Sequence, residues 1–193
     1  MKKGWAVFIV ILLIVLIGGT EYVGARNQMV RKNETVKSDW AQVDVVLERR
    51  ADLIPNLVET VKGVAAQEVT VFTAVANARA ALMNAQTPTD KIAANGQLDG
   101  ALVKVLALTE NYPQLKSNES FLQLQDQLEG TENRIAVERK RYDDAIQDYN
   151  TYIATFPHNV IAGWAGFRRN DAYFAASPES RQVPKVAFPP AKQ

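Results

Sequence analysis

The stretch RRADLIPNLVETVKG, Arg49 to Gly63, sets apolar residues at helical spacing around a proline, Pro55. A proline inside a helix lacks a needed N–H and presses on the carbonyl four residues back, at a cost of about 3 kcal/mol or more. The spacing nevertheless persists on both sides. Apolar or small residues recur at Val36, Trp40, Val43, Leu47, Ala51, Ile54, Val58, Val61 and Ala65, and past Glu68 at Phe72 and Val75. Such a stripe is the seam of a helix packed on other helices. Two arrangements keep it in phase. Asp52 caps a new helix with Pro55 in its first turn, or one helix runs on with a kink and forgoes the bond to the Ala51 carbonyl. A kink or a very tight break is expected.

Downstream, QTPTD (Gln86–Asp90) reads as a loop by its proline and small polar residues. A helix is predicted from between Lys91 and Leu98 to Glu110, and ENYPQLKSN (Glu110–Asn118) marks a second connection. The last helix is predicted from about Ser117 to Thr155. Its seam is Leu124, Leu128, Thr131, Ile135, Tyr142, Ile146, Tyr149 and Ile153. Charges four apart on its outer face suggest the pairs Arg134–Glu138, Arg139–Asp143 and Lys140–Asp144, each contributing only about 0.3–0.5 kcal/mol. A helix of that length is a rod of roughly 55–60 Å. The Val36–Met83 segment is the one predicted partner long enough to cover it. The expected fold is all-α: a transmembrane helix and then an elongated antiparallel bundle of long helices.

The chain opens MKKGWAVFIVILLIVLIGGTEYVGA, uncharged from Gly4 to Thr20. That run spans about 25 Å as helix, against a hydrocarbon core of about 30 Å. Trp5 and Tyr22 stand where interfacial aromatics belong. Extension to Ala25 closes the gap at the expense of Glu21. A cleaved signal peptide is the competing reading, and the length of the apolar run favours a retained anchor. Lys2 and Lys3 favour a cytoplasmic N-terminus, against Arg26, Arg31, Lys32 and Lys37 on the other side. The domain is therefore expected, by a narrow margin, outside the cytoplasm. The predicted organisation is an anchor over 1–25, a bundle over 26–157, and a short amphipathic segment with an extended tail over 158–193.

Composition excludes several classes. Hydrophobic residues make up 47% of the chain, too many for a disordered one. Outside the anchor 20 basic and 20 acidic residues balance, so no nucleic-acid footprint exists. With no cysteine, disulfides, thiolate metal sites and thiol catalysis are excluded. The single histidine, His158, leaves no conventional zinc site and reads as an exposed helix-end residue. Glu129, Glu132 and Glu138 lack the Glu-x-x-His pairing of a di-metal bundle and read as a solvated face. No cofactor, no metal and no catalytic set is expected.

The run LERRADLIPNLVETVKG, the segment ENYPQLKSNESFLQLQDQLEGTENRIAVERKRYDDAIQDYN, and the closing Pro184-x-Val186-x-Phe188 together resemble the LemA family over nearly the whole chain. The resemblance implies long antiparallel helices tethered to a bacterial membrane. It carries no established catalytic residues. At Tyr142-Asp143 the family pattern leads one to expect Tyr-Asn instead.

Two groups remain as candidate interaction residues. Arg49, Arg50, Asp52, Pro55 and Asn56 form a polar cluster at the bend. It suits either a partner-docking surface or an internal clamp in which an arginine bridges Glu48 or an acid of the last helix. Trp164, Phe167, Tyr173 and Phe174 gather aromatics near the C-terminus, to fold back on the bundle, meet another subunit or rest on the bilayer. The expected partners are the lipid bilayer, further copies of the chain (a homo-oligomer) and another membrane protein. The expected function is a non-enzymatic membrane scaffold, with a regulatory adaptor of a membrane protease or envelope-stress component as the alternative.

Overall fold

The computed structural model describes residues 2–174. Its elements are α1 (Lys2–Ala65), α2 (Val69–Asn84), α3 (Pro88–Asn111), a 3-10 turn (Pro113–Ser117), α4 (Glu119–Ala154) and α5 (His158–Ala165), with no strand among the described residues. The fold is all-α. The closing Pro184, Val186 and Phe188 and the tail beyond residue 174 lie outside the described residues.

Helix α1 runs unbroken from the apolar N-terminal stretch through Pro55 to Ala65. The alternative in which Asp52 caps a new helix is thus corrected: Asp52 lies mid-helix and exposed. The predicted Val36–Met83 rod divides elsewhere, at Ala66–Glu68. No proline or glycine stands there. The turn is fixed from a distance, by the Tyr112 hydroxyl, which accepts from Gln67 Nε2 (2.6 Å) and donates to Glu68 Oε1 (2.8 Å).

Cross-contacts define the topology. α2 turns back along α1, so that Arg79 reaches Ala51. α3 returns in the direction of α1, pairing Lys91 with Asp44 and Asn95 with Arg50. α4 descends antiparallel to α1, with Glu132 at Arg50, Tyr142 at Trp40 and Asp148 at Lys32. α4 packs on α1 and α2 on α3.

Local chemistry sets the helix starts. Thr87 caps α3 by accepting from the Asp90 N–H (3.1 Å) while its hydroxyl donates to Asp90 Oδ2 (2.7 Å). Pro88 is therefore the first helical residue and α3 begins earlier than the Lys91–Leu98 window predicted. Asn118 caps α4 by accepting from the Phe121 N–H (3.0 Å).

The seams largely match. Val43, Leu47, Ala51, Ile54, Val61 and Ala65 of α1 are buried, as are Ile135, Tyr142, Ile146 and Tyr149 of α4. Leu57 takes the buried place that the spacing assigned to Val58, which is half-buried. On the outer face Lys140–Asp144 forms (2.6 Å), whereas Glu138 pairs with Arg141 (3.1 Å) instead of Arg134. Arg139 lies over the Phe174 ring, 4.5 Å from its centroid, rather than pairing with Asp143.

Candidate functional site

The bend cluster separates into an inward and an outward half. Arg49, Asp52, Pro55 and Asn56 are exposed, and Arg50 is buried. Arg50 Nη1 lies 2.6 Å from Asp99 Oδ1 and 3.0 Å from Glu132 Oε2, and donates to Asn95 Oδ1 at 3.1 Å. Asn95 Nδ2 in turn donates to Asp99 Oδ2 at 3.2 Å. One cation thus ties α1 to α3 and α4. Its side chain is 7% exposed, while those of Asp99 and Glu132 are 42% and 47% exposed. A buried charge requires such pairing. The carboxylates hold ion-pair distance without hydrogen-bond alignment, and Arg50 Nε has no hydrogen-bond partner. Glu132 is therefore a clamp residue, which corrects its reading as part of a solvated face.

Pro55 has its own accommodation. Its missing N–H leaves the Ala51 carbonyl without the usual helical donor. Arg79 Nε of α2 donates to that oxygen at 2.8 Å. The helix passes through the proline because another helix supplies the lost bond.

Beside the Arg50 clamp a groove of about 400 Å³ opens between α3 and α4, walled by Leu57, Leu102, Val103, Leu106 and Leu128 and closed at its polar end by Arg50, Asp99 and Glu132. Val103 and Leu106 are exposed, at 65% and 41%. The arrangement presents an apolar wall with an ionic end in which one cation faces two carboxylates, suited to holding a side chain or helix face. Among the described residues no cluster of three or more His, Asp or Glu is placed to hold a metal ion.

The C-terminal aromatics also divide. Phe167, Tyr173 and Phe174 are partly buried and pack on the core. Phe174 lies 6.3 Å from Trp40 and 6.2 Å from Tyr142, centroid to centroid. Asn150 holds the returning segment: its Nδ2 donates to the Asn170 carbonyl (2.6 Å) and to the Tyr173 hydroxyl (3.0 Å), and its Oδ1 accepts from the Asn170 N–H (2.9 Å). Tyr149 Oη donates to the Arg168 carbonyl (2.8 Å), and Asp143 Oδ1 accepts from the Phe174 N–H (3.0 Å). Burial pushes the Tyr142 phenol up to about 12, reinforced by the Asp143 charge and opposed by a hydrogen bond with Asn170. The Asp143 carboxyl is also raised, by burial first, against the lowering pull of the Phe174 N–H and Arg139. His158 stacks on Tyr152 at 4.1 Å and is half-buried rather than exposed. Trp164 alone of the four aromatics points outward, 80% exposed.

Sequence reasoning missed Arg79, Asn95, Asp99 and Asn150. Only Asn150 left a trace, as a polar residue beside Tyr149 in the predicted seam of the last helix.

The sequence model of the LemA family matches residues 39–188, from the α1 seam to the tail. The chain belongs to the LemA family. Among its relatives, magnetosome proteins MamQ 1 and MamQ 2 of Paramagnetospirillum magneticum are 26% identical over 178 residues, covering 79% of this chain. The match spans 65% of those relatives' own length, just under two thirds. Protein LemA of Metamycoplasma hominis is 21% identical over 182 residues, covering 93% of this chain and 81% of the relative. Among the described residues of this LemA-family chain, one helix is long and apolar enough to cross a membrane, and it is the N-terminal one.

Proposed function

We propose that this LemA-family chain is a non-enzymatic, membrane-anchored scaffold that self-assembles at the bacterial cell membrane through its helical bundle. The observation that carries the reading is the continuity of α1 from the apolar stretch to Ala65. Beyond Thr20 it forms a post about 68 Å long. A post without a joint transmits position and orientation from the bilayer to the bundle. Anchored copies share one plane, so the α3–α4 groove of one faces its neighbours sideways. The exposed Val103 and Leu106 on its wall are the contact residues of this reading. The similarity to magnetosome proteins supports a role on a bacterial membrane. The bundle belongs, in this reading, on the extracytoplasmic side, with Lys2 and Lys3 in the cytoplasm.

Light scattering of the full chain in mild detergent or nanodiscs tests it. The cysteine-free sequence permits Val103→Cys and Leu106→Cys cross-linking in native membranes. Assemblies larger than a monomer, captured by these cross-links, are expected. A monomer at membrane-like concentration, with no cross-linked species, overturns the proposal.

A further inference from the structure

The apolar stretch of α1 is short, and the bundle's near end is greasy. Gly4–Thr20 covers about 25 Å of a hydrocarbon core of about 30 Å. The bilayer boundary therefore falls between Thr20 and Ala25, and a short span draws the adjoining residues of the bundle towards the lipid.

The register between α1 and α4 shows what sits at that level. Trp40 meets Tyr142 and Lys32 meets Asp148. Continued at equal rise along two antiparallel helices, this places Thr155 and Phe156 level with Ala25 and Gly24. Phe156 is 83% exposed. The chain reverses there into α5, which packs on both α1 and α4 through its buried Ala162. Its outer face carries Val160 and Trp164, one helical turn apart, 44% and 80% exposed. Arg26, also exposed, lies one residue past Ala25.

We propose that Phe156, Val160 and Trp164 form a second membrane contact, resting in the interfacial layer of the bilayer that α1 crosses. Large apolar side chains with a tryptophan and a nearby arginine match the chemistry of that layer, which takes aromatic rings at headgroup depth and offers phosphates to arginine. The contact fixes the tilt and rotation of the bundle, which a single helix leaves free. It rests on the membrane-spanning reading of α1 and is independent of self-assembly.

The test uses the full chain in phosphatidylcholine–phosphatidylglycerol vesicles. Single cysteines are introduced as Phe156→Cys, Val160→Cys and Trp164→Cys, with Leu13→Cys as the spanning reference and Lys116→Cys as the aqueous one. Each carries a nitroxide, and collision with oxygen is compared with collision with a water-soluble nickel chelate. All three positions are exposed, so labelling leaves the core intact. The expected oxygen-to-nickel ratio at 156, 160 and 164 is several-fold above that at 116 and below that at 13. Aqueous values at all three with an embedded Leu13 site overturn the proposal and spare the anchor. An aqueous Leu13 site removes both. Low collision with both reagents at 164, together with dipolar broadening between labels there, assigns the face to a second copy and likewise overturns the proposal.

Discussion

Arg79 Nε of α2 donates to the carbonyl oxygen of Ala51 on α1 at 2.8 Å, the oxygen that Pro55 leaves without a helical donor. A helix breaker in one element and a cation in another form a matched pair. The pairing predicts non-additivity. Arg79→Met alone leaves a partly buried carbonyl unpaired and costs about 1–2 kcal/mol. In a Pro55→Ala background the helical N–H regained at that position takes over the carbonyl, and the cost falls by about 0.5–1 kcal/mol. Chemical denaturation of the two single variants and the double variant measures the coupling. Equal costs in both backgrounds count against the pairing.

The Arg50 clamp predicts an asymmetry between its members. Arg50→Ala removes the cation shared by Asp99 and Glu132 and opens space at the junction of three helices; a loss of about 3 kcal/mol is expected. Glu132→Gln leaves Asp99 to neutralise the arginine at a half-exposed site and costs about 1 kcal/mol or less. Thermal melts monitored by far-ultraviolet circular dichroism give the ranking. The reverse order contradicts the assignment of Arg50 as the buried partner.

Asn150→Ala deletes both ends of the hold on Asn170 and the bond to the Tyr173 hydroxyl. The segment from Phe167 to Phe174 should loosen while the bundle persists, since the core residues of α1 and α4 are untouched. Trypsin is expected to cut after Arg168 and Arg169 many times faster than in the parent, with helicity nearly unchanged. An unaltered cleavage rate shows that the aromatic packing alone retains the segment.

Asp143 offers a pH prediction with a definite sign. Its carboxyl is raised above the ordinary 3.8 by burial, so the folded state favours the neutral form. That contribution is full below the ordinary value and is lost as pH rises through the raised one. Asp143→Asn keeps an oxygen acceptor for the Phe174 N–H and removes the unfavourable charge. The variant should melt slightly higher than the parent at pH 7, with the difference closing as pH falls through the raised value to 3.8 and the parent's carboxyl protonates. A variant less stable at pH 7 shows instead that the carboxylate's attraction to Arg139 outweighs its desolvation.

Much of this architecture is legible in residue order. The apolar leading helix and the seams of α1 and α4 rest on periodicity, whereas the caps at Thr87 and Asn118 escape it: residue types alone give a loop at Gln86–Asp90 and a helix start near Ser117. The phase of the Val36–Ala65 stripe across Pro55 already requires one helix running on with a kink or a very tight break. Where local signals are silent, the reading strays. Ala66-Gln67-Glu68 contains no stop signal, and its turn is set by Tyr112, which arrives from the far end of α3. Glu132 looks like one more surface acid until Arg50 is placed beneath it.

Residue order alone yields a greasy leading helix, amphipathic rods and the connections at Gln86–Asp90 and Glu110–Asn118, because an apolar stripe and a proline-bearing polar stretch are both read from nearby residues. Which carbonyl Arg79 satisfies, which acids pair with Arg50, and that Phe174 folds inward while Trp164 faces out emerge only from the packed helices. Those choices depend on side chains brought together from distant parts of the chain, and their energies exist only once the helices have packed.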